Sequence, residues 1–285
     1  MSPTRRDKPP HNAQVLERWA REWADAERVP VARVQRSVSY MVIAAMLDTV
    51  RDADGEPLFL IKGGVAMELR LALRARATQD LDAAFRAAAG EMIERLDDAL
   101  EAGHADFTAS RTAPQPVGRT RALRVGVKLA YRGRSWGTVP VEISGAEGRA
   151  ADEFERVPAR LLDSLGIEVP AEIACVSLRY QVAQKLHACT QVFDDGPANA
   201  RFRDLLDLLL LRELLAAVDL PQVRAACVET FELRATHPWP PAVTIGEGWA
   251  PAYAQLAAAA GFGVTDVADA ADAVRQFVVA IDRAR

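Results

Sequence analysis

Apolar residues recur at helical spacing near the start of the chain: Val15, Leu16, Trp19 and Trp23 step by three and four. That spacing predicts an amphipathic helix. Pro30 then breaks the pattern or opens a second helix as its first residue. Val34, Val38, Met41, Val42, Ala45 and Met46 give that second helix a side suited to burial. Asp54-Gly55 marks a turn, and the period changes after it. Leu58-Phe59-Leu60-Ile61 is a short apolar run that reads as a buried strand, ended by Lys62-Gly63-Gly64. A helix over 65–73, a strand over 79–85 and a helix over 87–100 follow. Beyond a loop with Pro114 and Pro116, two strands are predicted over 120–131 and 137–143, joined at Arg132-Gly133-Arg134-Ser135.

From about residue 150 almost everything reads as helix, with segments over 177–193, 201–217, 221–233 and 264–284. Val267, Val274, Phe277, Val278 and Ile281 lie along one side of the last. A stretch rich in Pro and Trp, Thr236-His237-Pro238-Trp239-Pro240-Pro241, interrupts these helices, and no repeat of about 20–50 residues is visible. With 285 residues, a prior of ~150 residues per domain gives roughly two domains. The expected layout is N-terminal helices packing on the core (1–55), an α+β domain (56–150) and a mostly helical C-terminal domain (151–285) that contributes to the active site.

Bulk properties exclude several classes. No window of ~18 apolar residues predicts a transmembrane helix. The polar start, MSPTRRDKPPHNAQ, lacks the apolar core of a signal peptide and reads as a frayed basic tail, so a cytoplasmic protein without a membrane partner is expected. Cys175, Cys189 and Cys227 form no CxxC pair, and the four histidines form no HxxxH or HExxH; reduced thiols fit better than disulfides or a zinc site. Lys and Arg number 35 against 39 Asp and Glu, a net charge of −4, which taken as an average argues against nucleic acid.

The segment FLIKGGVAMELRLALRARATQDLDAAF carries the candidate chemistry. A Gly-Gly turn between strand and helix lets backbone N–H groups approach a phosphate, and the helix N-terminus adds its dipole; the same pair also serves as a plain turn. Asp80 and Asp82 come sixteen and eighteen positions after Gly64. On a strand, residues i and i+2 share a face, so the two carboxylates project together while Leu81 packs on the other side. Such a pair suits a divalent ion such as Mg²⁺, or a solvated strand face. Glu142, in Val139-Pro140-Val141-Glu142-Ile143, either completes a metal site or faces outward. In the helical half, Gln181, Lys185 and Cys189 share a helix face, and Asp204 and Asp207 follow Arg201 and Arg203. Asp204 in a first helical turn also complements the helix dipole. His187, two positions from Lys185, reads as a packing or surface residue and is not taken as a base.

The order of strand, glycine turn, helix, DxD strand and later acid resembles the nucleotidyltransferase fold shared with polymerase beta, in which Gly-Ser is the usual turn. KGGVAMEL, RARATQDLD, QVAQKLHA and RFRDLLDLLLL, in that order over about 58–215, resemble the AbiEii/AbiGii-type toxins of bacterial toxin–antitoxin systems, MenAT-type toxins among them. The resemblance implies an α+β polymerase-beta-like domain with a mixed sheet and a helical C-terminal domain. It implies an enzyme that uses Mg²⁺ to transfer a nucleoside monophosphate from an NTP to RNA, at the tRNA 3′ end, blocking translation, with a cognate antitoxin as partner. Asp80 and Asp82 would be catalytic and bind metal, with Glu142 as a third candidate ligand. Lys185 would contact the phosphates and Asp204 would be an active-site acid. Gly63 and Gly64 would shape the nucleotide site, with Lys62 and Arg76 as phosphate contacts.

Charge is uneven along the chain. Residues 107–141 hold Arg111, Arg119, Arg121, Arg124, Lys128, Arg132 and Arg134 and no acid, and Arg70, Arg74 and Arg76 stand just ahead of the DxD. This distribution suits an RNA backbone or a solvated basic hairpin. The resemblance also implies that Thr78 is a candidate for regulatory phosphorylation, which would add about −1.5 to −2 charge beside the acids; it equally suits a strand as a β-branched residue. The rival readings are a nucleotidyltransferase that modifies a protein or small molecule, and an inactive binding protein.

Overall fold

The computed structural model describes residues 6–118, 121–159, 162–192, 199–216 and 219–285, with no side-chain description at Leu73 and Asp163. The first five residues of the expected tail, Arg119, and the expected element ends at Thr120, Phe193 and Ala217 lie outside the described residues. The chain forms two compact units. One takes in the chain up to Ala72, Ala77–Ala146 and Phe154–Val176; the other holds Leu73–Arg76, Glu147–Glu153 and Ser177–Arg285.

The first unit is a mixed sheet with helices. Its elements are α1 (Ala13–Glu27), α2 (Val31–Leu47), β1 (Phe59–Lys62), α3 (Gly63–Leu71), β2 (Leu81–Phe85), α4 (Met92–Ala102), β3 (Phe107–Arg111), β4 (Gln115–Pro116), β5 (Leu123–Tyr131), β6 (Arg134–Gly145), β7 (Phe154–Pro158) and β8 (Glu172–Val176). Strand order is β3-β5-β6-β2-β1-β8-β7, with β4 beside β5. β1 runs antiparallel to β2 and parallel to β8, and β2 runs parallel to β6. Alternation sets the two faces. Leu81, Ala83 and Phe85 of β2, Val125, Val127 and Leu129 of β5, and Val139, Val141 and Ile143 of β6 are buried in one apolar core with α1, α2 and α4. Asp82, Arg124, Lys128 and Glu142 alternate with them and belong to the opposite face.

Helix α1 is capped by Asn12, whose side chain accepts from the Val15 N–H, a favoured N-cap arrangement. Pro30 is the N-cap of α2 rather than its first residue. The two glycines, expected as a turn, are the opening residues of α3.

The expectation of helix from residue 150 onward is corrected. Residues 154–158 and 172–176 pair as an antiparallel hairpin, Phe154 with Val176 through Pro158 with Glu172, and β8 extends the sheet beside β1. Ile173-Ala174-Cys175-Val176 is a continuous apolar run, which periodicity cannot distinguish from a buried helix segment; its parallel neighbour β1 buries it. β3 also had no apolar alternation to announce it, since Thr108, Ala109 and Ser110 are small and mostly polar.

The second unit is helical, with α5 (Leu178–Thr190), α6 (Phe202–Arg212), α7 (Leu220–Arg234), α8 (Trp249–Ala260) and α9 (Val267–Arg283). The leucines of α6 form its core. The Pro- and Trp-rich stretch packs against these helices: His237 bonds Thr190 at 2.8 Å, and Trp239 Nε1 donates to Asp282 at 2.9 Å. All three cysteines are free and buried, and burial pushes the Cys175 thiol up to about 12. Among the described residues no helix is long and apolar enough to cross a membrane.

Candidate functional site

The loop-free passage from β1 into α3 places Gly63 and Gly64 against the segment that carries the acids. Gly63 has φ +61°, and a Cβ there would overlap the Asp82 carboxylate, lying 2.9 Å from its Cγ. A Cβ on Gly64 would lie 2.5 Å from Thr78 Oγ1 and 2.6 Å from Thr78 Cβ. The glycine pair is therefore explained by close approach of Thr78 and Asp82, with a left-handed backbone at Gly63 that suits glycine.

Register aligns four charged residues across the open sheet face. Lys62 pairs with Asp82, Asp82 with Glu142, and Glu142 with Arg124. Neighbouring strands are ~4.8 Å apart, so two acids sit side by side between two cations. Arg124 takes up Glu142, with Nε donating to Oε1 at 2.8 Å and Nη2 to the same oxygen. Lys62 Nζ donates to Ser144 Oγ at 2.7 Å. Asp80 stands one residue ahead of β2, half-buried, and its Oδ1 accepts from the Thr78 hydroxyl at 3.1 Å. Glu142 does not join a three-acid cluster: among the described residues no group of three or more His, Cys, Asp or Glu is placed to hold a metal. Asp80 and Asp82 are hard oxygen donors, both half-buried, and Mg²⁺ characteristically takes one or two carboxylates together with substrate phosphates. The pair fits such an ion.

In the helical unit Lys185 Nζ donates to Asp204 Oδ1 at 2.8 Å and to Asp207 Oδ2 at 2.6 Å. Arg76 grips the same Asp207 with two bonds, Nε to Oδ1 and Nη2 to Oδ2, both 2.9 Å. The Asp207 side chain is fully enclosed and that of Asp204 is 5% exposed. Burial pushes the Asp207 acid up, but Lys185 and Arg76 outweigh it and hold it below the ordinary carboxylate value. Burial pushes Lys185 down, and Asp204 and Asp207 more than offset that, leaving it raised. Two cations thus face two anions. Asp204 Oδ2 is buried without a hydrogen-bond partner among the described residues. Arg76, expected to meet phosphate, is committed to Asp207. Burial, then Arg234 and His237, push His187 down to about 4, so it is neutral at pH 7, with its ring against Phe231.

The basic stretch changes meaning in three dimensions. Arg111 is held by Asp97, Arg132 by Asp106 and Arg124 by Glu142. Ahead of the DxD, Arg70 pairs with Glu155 and Arg74 with Glu213. Arg121, Lys128 and Arg134 are exposed and have no ion pair among the described residues. Sequence patterning missed these partners because Asp97, Glu155 and Glu213 lie outside the stretches they neutralise.

Sequence reasoning also missed α2 as a contributor. Its positions 37 and 40 are polar and buried: Ser37 Oγ donates to Glu68 Oε2 at 3.0 Å, and Tyr40 OH donates to the Thr78 carbonyl at 3.1 Å. The signal was Ser37 and Tyr40, three apart, on a helix whose other buried positions are mostly apolar.

The family model described as the nucleotidyl transferase AbiEii toxin of type IV toxin–antitoxin systems matches residues 45–278. The chain belongs to this family. As an AbiEii member it is a nucleotidyltransferase toxin, with the mixed α/β architecture and helical C-terminal part described above. A search of curated proteins finds no match. Among solved structures the chain is similar to MenT4, a nucleotidyltransferase toxin from Mycobacterium tuberculosis H37Rv, at 17% identity and a TM-score of 0.47, covering 95% of this chain and 98% of that one; so loose a likeness carries no argument about the site.

Two substitutions test this geometry. Gly63→Ala costs about 1–2 kcal/mol for the left-handed backbone alone, and the overlap with Asp82 adds to it. Gly55, with φ +82° and nothing within 4 Å of a Cβ, is the control. Denaturant unfolding is expected to show Gly63→Ala as the more destabilised; equal losses would refute the close contact. Lys185→Met leaves two buried acids with one cation and is expected to lower the unfolding free energy by about 3–5 kcal/mol. The Lys185 contribution is present below the ordinary lysine value and lost as pH rises past its raised one. The Asp207 contribution is present above the ordinary carboxylate value and lost as pH falls past its lowered one. An unchanged denaturation midpoint for Lys185→Met would contradict the network.

Proposed function

We propose that this AbiEii-family toxin transfers a nucleoside monophosphate from an NTP to RNA, at the tRNA 3′ end, and so blocks translation. The observation that carries the proposal is the half-buried pair Asp80 and Asp82 beside the Gly63-Gly64 start of α3. These two carboxylates would hold Mg²⁺, which would neutralise triphosphate charge as phosphoryl-group transfer requires. The N-terminus of α3 offers backbone N–H groups to phosphate, and Lys62 adds a positive charge at its start. The family resemblance implies a nucleotide role for Lys185 and Asp204 as well. Arg121, Lys128 and Arg134, exposed and unpaired among the described residues, are the cations available to a polynucleotide backbone. Neutralisation of the other arginines makes this a smaller basic surface than the sequence alone implies.

A cognate antitoxin is the partner that a type IV system implies, and the NTP and RNA pools place the reaction in the cytoplasm. Phosphate on Thr78 would set about −1.5 to −2 charge against Asp80 and oppose the NTP. Thr78 is only 4% exposed, so modification requires the segment ahead of β2 to open.

Incubation of the purified protein with tRNA, Mg²⁺ and each labelled NTP in turn tests the proposal. Label is expected on RNA with at least one NTP and is expected to disappear in Asp80→Ala. Label on protein would instead support modification of a protein, and absence of label with all four while NTP binding persists would refute the RNA acceptor.

A further inference from the structure

Thr78 is the point where three elements of the sheet unit meet. It lies two residues ahead of Asp80 and outside β2, so no ladder hydrogen bonds fix it. Its peptide is held from both ends instead. The carbonyl accepts from Tyr40 OH on α2 at 3.1 Å, and Glu68 on α3 takes a backbone hydrogen bond from Thr78. Glu68 is itself steadied by Ser37 Oγ at 3.0 Å. Tyr40 is 1% and Glu68 3% exposed, so water does not compete for these bonds. Burial, then Glu68, push the Tyr40 phenol up, which keeps it protonated as the donor. Gly64 supplies the room, since any Cβ there would meet the Thr78 side chain at 2.5 Å. With its backbone fixed, Thr78 directs its hydroxyl at Asp80, 3.1 Å from Oδ1 and 3.3 Å from the Asp80 carbonyl.

We propose that Thr78 is a positioning residue for Asp80: its hydroxyl, set by the Tyr40 and Glu68 clamp, fixes the carboxylate in the orientation needed to ligate a divalent cation. The inference rests on the metal-binding role given to Asp80 above. One carboxylate oxygen, Oδ1, is engaged by Thr78. Free rotation of a half-buried aspartate would otherwise be an entropic cost of every binding event. Hydrogen-bond partners behind metal ligands typically contribute 10–100-fold in affinity.

The test is Mn²⁺ alone, titrated by calorimetry into the full chain without nucleotide, beside thermal unfolding of each variant without metal. Thr78→Val keeps the shape and removes the hydroxyl; it is expected to bind Mn²⁺ about 10–100-fold more weakly, with an unfolding midpoint close to that of the parent. Thr78→Ser restores the hydroxyl and is expected to bind within about threefold of the parent, a rescue that follows from the hydrogen bond and not from packing. Parent-like binding by Thr78→Val, or equal weakening in Thr78→Ser and Thr78→Val, overturns the proposal. Should Thr78→Val not fold, Tyr40→Phe, which deletes one clamp bond and keeps Thr78, serves in its place: weaker Mn²⁺ binding supports the clamp and unchanged binding overturns it. A parent protein whose Mn²⁺ binding is the same as that of Asp80→Ala refutes the metal role of Asp80 itself, a failure distinguishable from loss of the Thr78 effect alone.

Discussion

The sheet unit depends on one close approach. Two consecutive residues at the start of α3 lie so near Thr78 and Asp82 that neither has space for a β-carbon. Once that contact is made, much else follows. β1 must run beside β2 so that Lys62 meets Asp82. The parallel partner β6 then brings Glu142 to the same level, and β5 brings Arg124 to Glu142. The acid-bearing segment is pressed onto a helix start, where backbone N–H groups lack intrahelical partners. Glycine at these positions serves close packing.

Charge in this protein is organised by pairing more than by patches. The stretch over 107–141 contains no acid, yet acids from outside it or at its edge neutralise three of its arginines. The helical unit carries the same logic into its interior, where Lys185 and Arg76 balance Asp204 and Asp207. Removing one member of such a buried set is costly because it strands a charge, so loss of activity in a Lys185 variant must be weighed against loss of fold. Asp80 stands apart: half-buried, it has a hydroxyl donor on one oxygen and no ion pair among the described residues.

The strand–glycine–helix–DxD order was legible from sequence because each piece carries its own local signal: an apolar run, two glycines, a helical period, an alternation. The β5–β6 hairpin and the helices α5, α6, α7 and α9 were legible for the same reason, and the family resemblance was carried by four motifs within those elements. The strands β7 and β8 were not, since Ile173-Ala174-Cys175-Val176 has no period of its own and becomes a strand only through β1. The capture of Glu142 by Arg124 depends on register between strands, which no local pattern encodes. Nor could spacing show that Ser37 and Tyr40, 41 and 38 residues before Thr78 in the chain, brace the segment that carries Asp80.

The proposal at the centre of this reading is that Asp80 and Asp82 hold the catalytic ion. A crystal of the full chain grown with Mn²⁺ and a non-hydrolysable NTP analogue tests it through the anomalous signal of the metal. The expected result is a manganese peak at about 2.0–2.2 Å, the range for a small octahedral cation, from oxygens of both Asp80 and Asp82. A peak lying away from both aspartates would contradict it.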